Sequence, residues 1–289
     1  MILNLKNKIK INDLCFSYGR KTIFDHYNLE IENGINVIWG ANGSGKTTLF
    51  KMLASIFRPK SGNIFLNDIS YKSSDIRKYI SFIPQDFDVF PNIKVHEFLK
   101  FIAEVKYGYK KEKIISEIDR VSEITSISDF LKMKMKNLSG GMRQRVGIAQ
   151  ALIGDAIFII ADEPTSGLDP EHRNNFNMML HKIPSDKIVL ISTHIIEDIR
   201  DFYNDIIIIS EGKNTFQGDY SALMSSLDKK VFETSIKFEE LEDFENKYKI
   251  LLKDYTNESI KIRAVSLDEN IDEKQIVEQS LVDVWTYYR

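Results

Sequence analysis

Three short apolar runs constrain the fold of this 289-residue chain more than any other feature of its sequence. They span residues 157–161, 187–192 and 205–210, and each has the length of a strand that is covered on both faces. The stretches 171–182 and 195–202 show helical spacing of apolar residues and alternate with the runs. Alternation of this kind is typical of a parallel sheet with crossover helices, so we predict an α/β fold.

Smaller elements are predicted around this core. The first forty residues indicate a small antiparallel β subdomain, and a strand pair is predicted at 64–66 and 79–83. Apolar residues recur at helical spacing between 95 and 124, which predicts a helical insert at about 86–153. After residue 228 the pattern indicates a strand, a charged helix, two strands and a closing helix. We therefore predict a main domain at 1–228 and a small α+β accessory region at 229–289.

Composition narrows the class of protein. The net charge of −3 lacks the basic excess of most proteins that bind nucleic acid, so no nucleic-acid partner is expected. The single cysteine, Cys15, cannot form an internal disulfide, and the first ten residues lack the apolar core of a secretory signal. No apolar run approaches the roughly 20 residues that span a bilayer. We expect a cytoplasmic protein, which would need a separate partner to act at a membrane.

A glycine-rich segment lies between the predicted strand that ends at Trp39 and the helix that follows it. Its sequence, Gly40-Ala-Asn-Gly-Ser-Gly45-Lys46-Thr47, fits the phosphate-binding pattern G-x-x-x-x-G-K-[ST], also called Walker A. In such loops, backbone N–H groups surround the phosphates, the lysine reaches the terminal phosphates, and the hydroxyl ligates Mg²⁺. This context predicts a P-loop NTPase core, with the site residues Gly40, Asn42, Gly43, Ser44, Gly45, Lys46, Thr47 and Thr48.

Two adjacent acids, Asp162 and Glu163, end the first apolar run. The carboxyl ends of parallel strands border the crevice in which ligands bind. We predict that Asp162 holds Mg²⁺, directly or through water, and that Glu163 activates the attacking water as general base. Alone, an Asp-Glu-Pro sequence is more often an ordinary turn; its combination with the phosphate loop favours the catalytic interpretation.

The segment Leu138-Ser-Gly-Gly-Met-Arg-Gln-Arg145 resembles the signature sequence of ATP-binding-cassette (ABC) proteins. Other marks of that family occur in the expected order: Gln85 after Phe-Ile-Pro, Ser166-Gly-Leu-Asp169 after the acid pair, and His194 after the second run. The resemblance covers residues 1 to about 220. It implies an ATPase that uses ATP and Mg²⁺.

The resemblance also implies roles for individual residues. Gln85 would sense Mg²⁺ and the attacking water, and His194 would contact the terminal phosphate. Tyr18 would stack on the adenine, and Asp169 would help couple two composite sites. The signature residues of one subunit would face the phosphate bound by a second ATP-binding subunit; these are Ser139, Gly140 and Gly141.

The tail Leu281-Val-Asp-Val-Trp-Thr-Tyr-Tyr288 and the residues around the signature are similar to bacterial exporter ATPases encoded apart from their permease. This implies a dimeric subunit, peripheral on the inner face of the cell membrane, that powers export through a separate integral membrane permease. The permease would dock between Gln85 and about residue 107, at Phe87, Phe90, Ile93 and Val95. An importer ATPase and a soluble ABC ATPase acting on ribosomes or DNA are the alternatives.

Overall fold

The structure is a computed structural model, and it describes residues 6–85, 90–107, 111–154, 156–199, 202–228, 230–266 and 275–289. The elements below are those of the described residues. The strands are β1 (Lys8–Tyr18), β2 (Lys21–Glu32), β3 (Gly34–Trp39), β4 (Ser61–Leu66), β5 (Ile69–Ser70), β6 (Ile80–Ile83), β7 (Phe158–Ala161), β8 (Ile188–Thr193), β9 (Asp205–Ser210), β10 (Lys213–Gly218), β11 (Val231–Ile236), β12 (Lys249–Tyr255) and β13 (Ile260–Val265). The α-helices are α1 (Lys46–Leu53), α2 (Val95–Tyr107), α3 (Lys111–Thr125), α4 (Gly140–Leu152), α5 (Pro170–Leu180), α6 (Tyr220–Ser225), α7 (Leu241–Lys247) and α8 (Leu281–Tyr288).

A six-stranded sheet forms the core, in the order β10-β9-β3-β8-β7-β6. The strands from β9 to β6 run parallel, and β10 closes one edge as an antiparallel partner of β9. The predicted α/β architecture is therefore confirmed. Because β3, β8 and β7 lie side by side, the residues that follow them meet at one edge of the sheet. This edge, at the carboxyl ends of the parallel strands, borders the crevice in which ligands bind.

Alternate residues of the core strands enter two different hydrophobic clusters. In β3, Ile38 packs with α1 and the antiparallel sheet, whereas Val37 and Trp39 pack with the helical insert. Strands β7, β8 and β9 divide their residues in the same way, which is the period of two expected of a sheet covered on both faces. The uninterrupted apolar runs in the sequence follow from this double burial.

The antiparallel subdomain has the strand order β2-β1-β4-β5. One detail of the prediction is wrong here: the segments at 64–66 and 79–83 do not pair with each other. Ile64 lies opposite Ile11 of β1, whereas β6 joins the core sheet beside β7. Both segments have an apolar pattern that fits either sheet, and the choice depends on partners that are distant in sequence.

The helical insert consists of α2, α3 and α4. Their apolar faces join the cluster on one side of the core sheet, so the insert is packed against that sheet. The helix predicted at 195–202 is wrong: the described residues there contain only a 3₁₀ turn, Ile196–Asp198. The Thr193 hydroxyl accepts from the Ile195 backbone N–H at 3.0 Å, and this local bond competes with helix formation.

The accessory region contains a three-stranded antiparallel sheet, β11-β13-β12, with α7 packed on it. Its closing helix returns to the core: Val284 and Trp285 of α8 belong to the same hydrophobic cluster as Val37 and Trp39 of β3. The Thr215 hydroxyl of β10 donates to the Tyr288 carbonyl at 3.0 Å. The last segment of the chain therefore lies against the sheet that carries the phosphate loop.

Candidate active site

The phosphate loop connects β3 to α1 with two glycines in the left-handed region, Gly43 (φ 85°) and Gly45 (φ 110°). Gly45 directly precedes α1, and a Cβ built there would lie 2.8 Å from the Phe24 ring. Glycine is therefore required at this position both by its backbone angle and by the close approach of β2. The loop places free N–H groups of the helix start at the mouth of a cleft.

Lys46 is buried at the start of α1, with 4% of its side chain exposed. Its Nζ donates to the carbonyls of Gly40 at 2.8 Å and Ala41 at 3.2 Å, and lies 3.6 Å from Glu163 Oε1. Burial lowers the pKa of Lys46, while the nearby carboxylates of Glu163 and Asp162 act in the opposite direction. The ammonium is thus held inside the loop with donors that can turn to a phosphate.

The acid pair follows β7 and is fixed by one serine on the neighbouring strand. The buried Ser192 hydroxyl donates to Asp162 Oδ1 at 2.6 Å and accepts from the Glu163 backbone N–H at 2.8 Å. Glu163 has φ 46°, an angle that is costly for a residue with a side chain. The hydrogen bond from its backbone to Ser192 holds it there, which turns its carboxylate into the cleft.

Three predicted site residues surround the Glu163 carboxylate. The Gln85 amide donates to Glu163 Oε2 at 3.2 Å. His194 Nδ1 lies 3.1 Å from Glu163 Oε1, without the alignment of a directed hydrogen bond. Together with Lys46, these groups place the carboxylate at the centre of the site, as a general base requires.

The open cleft above these residues has a volume of about 610 Å³. It brings together most of the predicted site, while Gly40, Ser44 and Asp162 lie buried beneath it. Ser166 of the motif that follows the acid pair also lines it. The sequence analysis missed two further residues of its lining, Lys21 and Ile23. The predicted residues that line it are Tyr18, Asn42, Gly43, Gly45, Lys46, Thr47, Thr48, Gln85, Glu163 and His194.

Tyr18 lies at the outer end of the cleft and is 47% exposed. Its hydroxyl is 3.3 Å from the Thr48 hydroxyl, and its ring meets those of Phe16 and Phe57 edge to face. This packing fixes the ring while leaving part of it accessible, as an aromatic platform for a base requires.

The signature residues lie outside this cleft. Ser139 caps α4 by accepting from the Met142 N–H at 3.2 Å, and both Ser139 and Gly140 are exposed. Gly141 is buried against the His172 ring, and the Gln144 amide donates to the Pro164 carbonyl next to Glu163. The signature helix is therefore connected to the acid pair within one chain. Its exposed start does not line that chain's own cleft.

Asp169 also lies outside the cleft lining. It caps α5 by accepting from the His172 N–H at 2.9 Å, and His172 Nδ1 lies 2.8 Å from the same carboxylate. These hydrogen bonds lower the pKa of Asp169, first through the backbone and then through the imidazole. Asp169 is thus oriented at the surface beside the signature glycines.

Two buried polar groups were missed by sequence reasoning. One is Ser192, described above. The other is Asp198, whose carboxylate accepts from the hydroxyls of Thr165 at 2.5 Å and Thr193 at 2.8 Å, tying the segment after Glu163 to the one around His194. The available signal was the Ser-Thr pair at the end of an otherwise apolar strand, because buried hydroxyls need partners.

The donor set fits a nucleotide with a metal ion. The Ser44 hydroxyl is buried and has no hydrogen-bond partner among the described residues, and the Thr47 side chain is exposed in the cleft. The groups predicted to hold the metal, on Thr47, Gln85 and Asp162, offer hydroxyl, amide and carboxylate oxygens, the ligands that Mg²⁺ prefers.

Comparison with known proteins identifies the family of the chain. Residues 24–166 match the family described as ABC transporter. The chain is 33% identical over 233 residues to the ABC transporter ATP-binding protein YxlF of Bacillus subtilis, covering 79% of this chain and 77% of that protein. It is 30% identical over 229 residues to the Nod factor export ATP-binding protein I of Cupriavidus metallidurans, covering 78% of this chain and 73% of that protein.

A solved structure has the same fold. It is a dimeric ATP-binding cassette in a post-hydrolysis state, bound to ADP and Pi, with a TM-score of 0.64 and 25% sequence identity. The match covers 73% of this chain and 98% of the cassette. None of the helices in the described residues has the length and hydropathy of a membrane-spanning segment.

Proposed function

This chain belongs to the ATP-binding proteins of ABC transporters and is an ATPase of that family, and from this premise we propose that Glu163 activates the water that hydrolyses ATP, to power export through a separate membrane-spanning partner. The observation that carries the proposal is the position of the Glu163 carboxylate, which is contacted by Gln85, His194 and Lys46 in one cleft. A carboxylate with fixed neighbours on several sides can orient a water and accept its proton.

Each of the other residues has a task in this proposal. Lys46 and the loop from Gly40 to Thr48 bind the phosphates, and Tyr18 packs against the base. Thr47, Asp162 and Gln85 hold Mg²⁺, which neutralises charge on the phosphates when bound. His194 donates toward the terminal phosphate, a role supported by its position in the same cleft as Lys46 and Thr47.

The active unit is proposed to be a head-to-tail dimer of ATP-binding subunits. Ser139 and Gly140 are exposed at the start of α4 and do not line the cleft of their own chain. A helix start with a hydroxyl and free N–H groups suits an anion held by another subunit. The dimeric state of the similar cassette supports this arrangement.

The proposals of export and of a membrane partner rest on similarity to an export protein and on one exposed surface of this chain. The Nod factor export protein is one of the similar chains. Of the predicted docking residues, Phe90 is 64% exposed and Ile93 partly buried, whereas Val95 is fully buried in the core and Phe87 lies outside the described residues. We place the docking contact at Phe90 and Ile93, with the subunit on the inner face of the cell membrane.

The catalytic assignment is tested by Glu163→Gln. We expect ATP turnover to fall by about 100-fold or more, the typical contribution of a general base, while ATP binding is retained. The matched control is Glu197→Gln, an exposed glutamate three residues after His194. Equal turnover in Glu163→Gln and the unmodified protein would remove the assignment.

The transporter assignment is tested with the same variant. Tagged Glu163→Gln protein is purified from detergent-solubilised membranes of its host, and the proteins bound to it are identified by mass spectrometry. A polytopic membrane protein is the expected partner. Ribosomal or DNA-bound partners in its place would contradict export but leave the ATPase chemistry intact.

A further inference from the structure

A second cavity, of about 660 Å³, lies in the antiparallel subdomain between the end of α1, β4 and the segment after β5. It shares no lining residue with the nucleotide cleft. Its volume is in the range of small-molecule sites in proteins, roughly 300 to 1,000 Å³. It is therefore a separate space large enough for a ligand of nucleotide size.

The charges of this cavity are of one sign. Four cationic side chains line it, and no carboxylate is found among the described residues of its lining. Within the described parts of the chain, these four side chains make no ion pair or hydrogen bond that would neutralise them. They are Arg58, Lys60, Lys72 and Arg77.

Unopposed charges of one sign around a concavity concentrate ions of the opposite sign. Arginine in particular presents a planar set of donors that matches a phosphate group, and lysine binds phosphate as a point charge. The chain as a whole has a net charge of −3, so a basic cavity is a local feature and not a consequence of overall composition.

Tyr71 also lines the cavity, and its hydroxyl is inaccessible to solvent. A ligand in the cavity would therefore meet other atoms of Tyr71 and not its hydroxyl.

The cavity also adjoins the nucleotide site. Met52 of α1 lines it, and α1 begins at Lys46. Phe57, another lining residue, meets the ring of Tyr18 edge to face at 6.1 Å between centroids. A ligand in the cavity would therefore contact both the far end of the phosphate-loop helix and the aromatic cluster beside the predicted base site.

From the four unneutralised cations and the volume, we propose that this cavity is a second binding site, for a small phosphate-bearing ligand of nucleotide size. It is distinct from the ATP site and does not depend on the catalytic assignment.

The test uses pyrophosphate as the probe and Lys46→Ala as the background, so that the phosphate loop does not compete. Isothermal titration calorimetry at 150 mM salt measures the affinity. We expect saturable binding by the Lys46→Ala protein. Removing two cations with Arg58→Ala and Arg77→Ala should weaken it by about 10-fold or more, because charge-assisted hydrogen bonds to the phosphates are lost.

Two further variants sharpen the result. Lys10→Ala with Lys213→Ala removes the same charge from exposed positions outside the cavity and should change the affinity less than about 2-fold. Tyr71→Phe removes only the phenol oxygen, which is inaccessible from the cavity, and should likewise change the affinity less than about 2-fold.

Three outcomes would overturn the proposal. One is the absence of pyrophosphate binding by the Lys46→Ala protein. Another is an equal loss in the Arg58/Arg77 and Lys10/Lys213 variants, which would indicate general charge attraction. The third is binding only to vesicles that contain phosphatidic acid, because the basic surface would then recognise a lipid headgroup and not a soluble ligand.

Discussion

The indole ring of Trp285 stacks on that of Trp39, with 4.4 Å between centroids and 19° between planes. Trp39 ends β3 directly before Gly40, and Trp285 belongs to α8 near the end of the chain. Both residues are buried, Trp39 completely. The closing helix of the accessory region is therefore attached to the strand from which the phosphate loop begins.

Loss of this stack should destabilise the protein measurably. We expect Trp285→Ala to lower the free energy of unfolding by about 3 to 5 kcal/mol, because a large aromatic side chain is removed from a packed cluster. Urea unfolding followed by far-UV circular dichroism measures the change. Val282→Ala is the control on the same helix, since Val282 is 55% exposed. Equal stability of the two variants would show that α8 is not held by the stack.

The stability of the protein should depend on pH through the ion pair between Arg263 and Asp283 of α8. Asp283 accepts from Arg263 Nε at 2.8 Å and Nη2 at 2.7 Å. Burial acts to raise the pKa of Asp283, but the hydrogen bonds from Arg263 and Ser280 outweigh it, and the pKa is lowered. A carboxyl with a lowered folded pKa contributes stability above its ordinary pKa of about 3.9 and loses it as the pH falls further, through the folded value.

Acid should therefore release α8 below about pH 4. The chain has only two tryptophans, Trp39 and Trp285, so near-UV circular dichroism and tryptophan emission report the stack directly. In Asp283→Asn, which cannot ionise, this part of the acid transition should disappear and the starting stability should be lower. Identical acid profiles for the two proteins would contradict the role of Asp283.

The phosphate loop and the acid pair could be predicted from sequence because each is contiguous and lies at the end of a recognisable strand. The local order of strand, turn and helix determines the positions of Gly45, Lys46 and Glu163. The α/β architecture was predictable for the same reason, since burial of the sheet on both faces produces uninterrupted apolar runs.

The contacts between these segments could not be predicted. Ser192 reaches Asp162 because β7 and β8 are parallel neighbours with Ala161 opposite Ile191, a register that no local pattern encodes. The stack of Trp285 on Trp39 likewise joins residues that are far apart in the sequence. The boundary predicted at residue 228 remains a prediction, and α8 packs across it onto the core.

Ser192 should position the acid pair without touching the nucleotide. Ser192→Ala leaves the Glu163 N–H and one Asp162 oxygen without their present partner, so the carboxylate of Glu163 is less well fixed. We expect kcat for ATP hydrolysis to fall by about 10-fold to 100-fold with a KM close to normal, because misplacement of a catalytic group affects the chemical step. Steady-state kinetics measure both constants.

Two serine variants make that result specific. Ser192→Thr keeps the hydroxyl and should retain much of the activity. Ser210→Ala removes another strand-end hydroxyl, one that donates to the Arg289 carbonyl and not to the acid pair, and should leave kcat unchanged. A larger effect on KM than on kcat in Ser192→Ala would mean that Ser192 acts through nucleotide binding.

We expect that position 141 requires a glycine for packing, in addition to any contact of Gly141 with nucleotide. A Cβ at Gly141 would lie 2.2 Å from His172 Cδ2, far inside van der Waals contact. Gly141→Ala should therefore push α4 and α5 apart at this point and cost about 1 to 3 kcal/mol of stability. Thermal unfolding of the variant measures this cost.

A double variant, in which His172 is changed together with Gly141, separates the packing role of Gly141 from its contact with nucleotide. If the clash with His172 causes the loss, Gly141→Ala with His172→Ala should recover stability, with a coupling energy of about 0.5 to 3 kcal/mol. Recovery of stability without recovery of ATP turnover would mean that the glycine backbone also has to approach the phosphate held by a second subunit. Additive losses in the double variant would contradict the packing explanation, because the two side chains would then act independently.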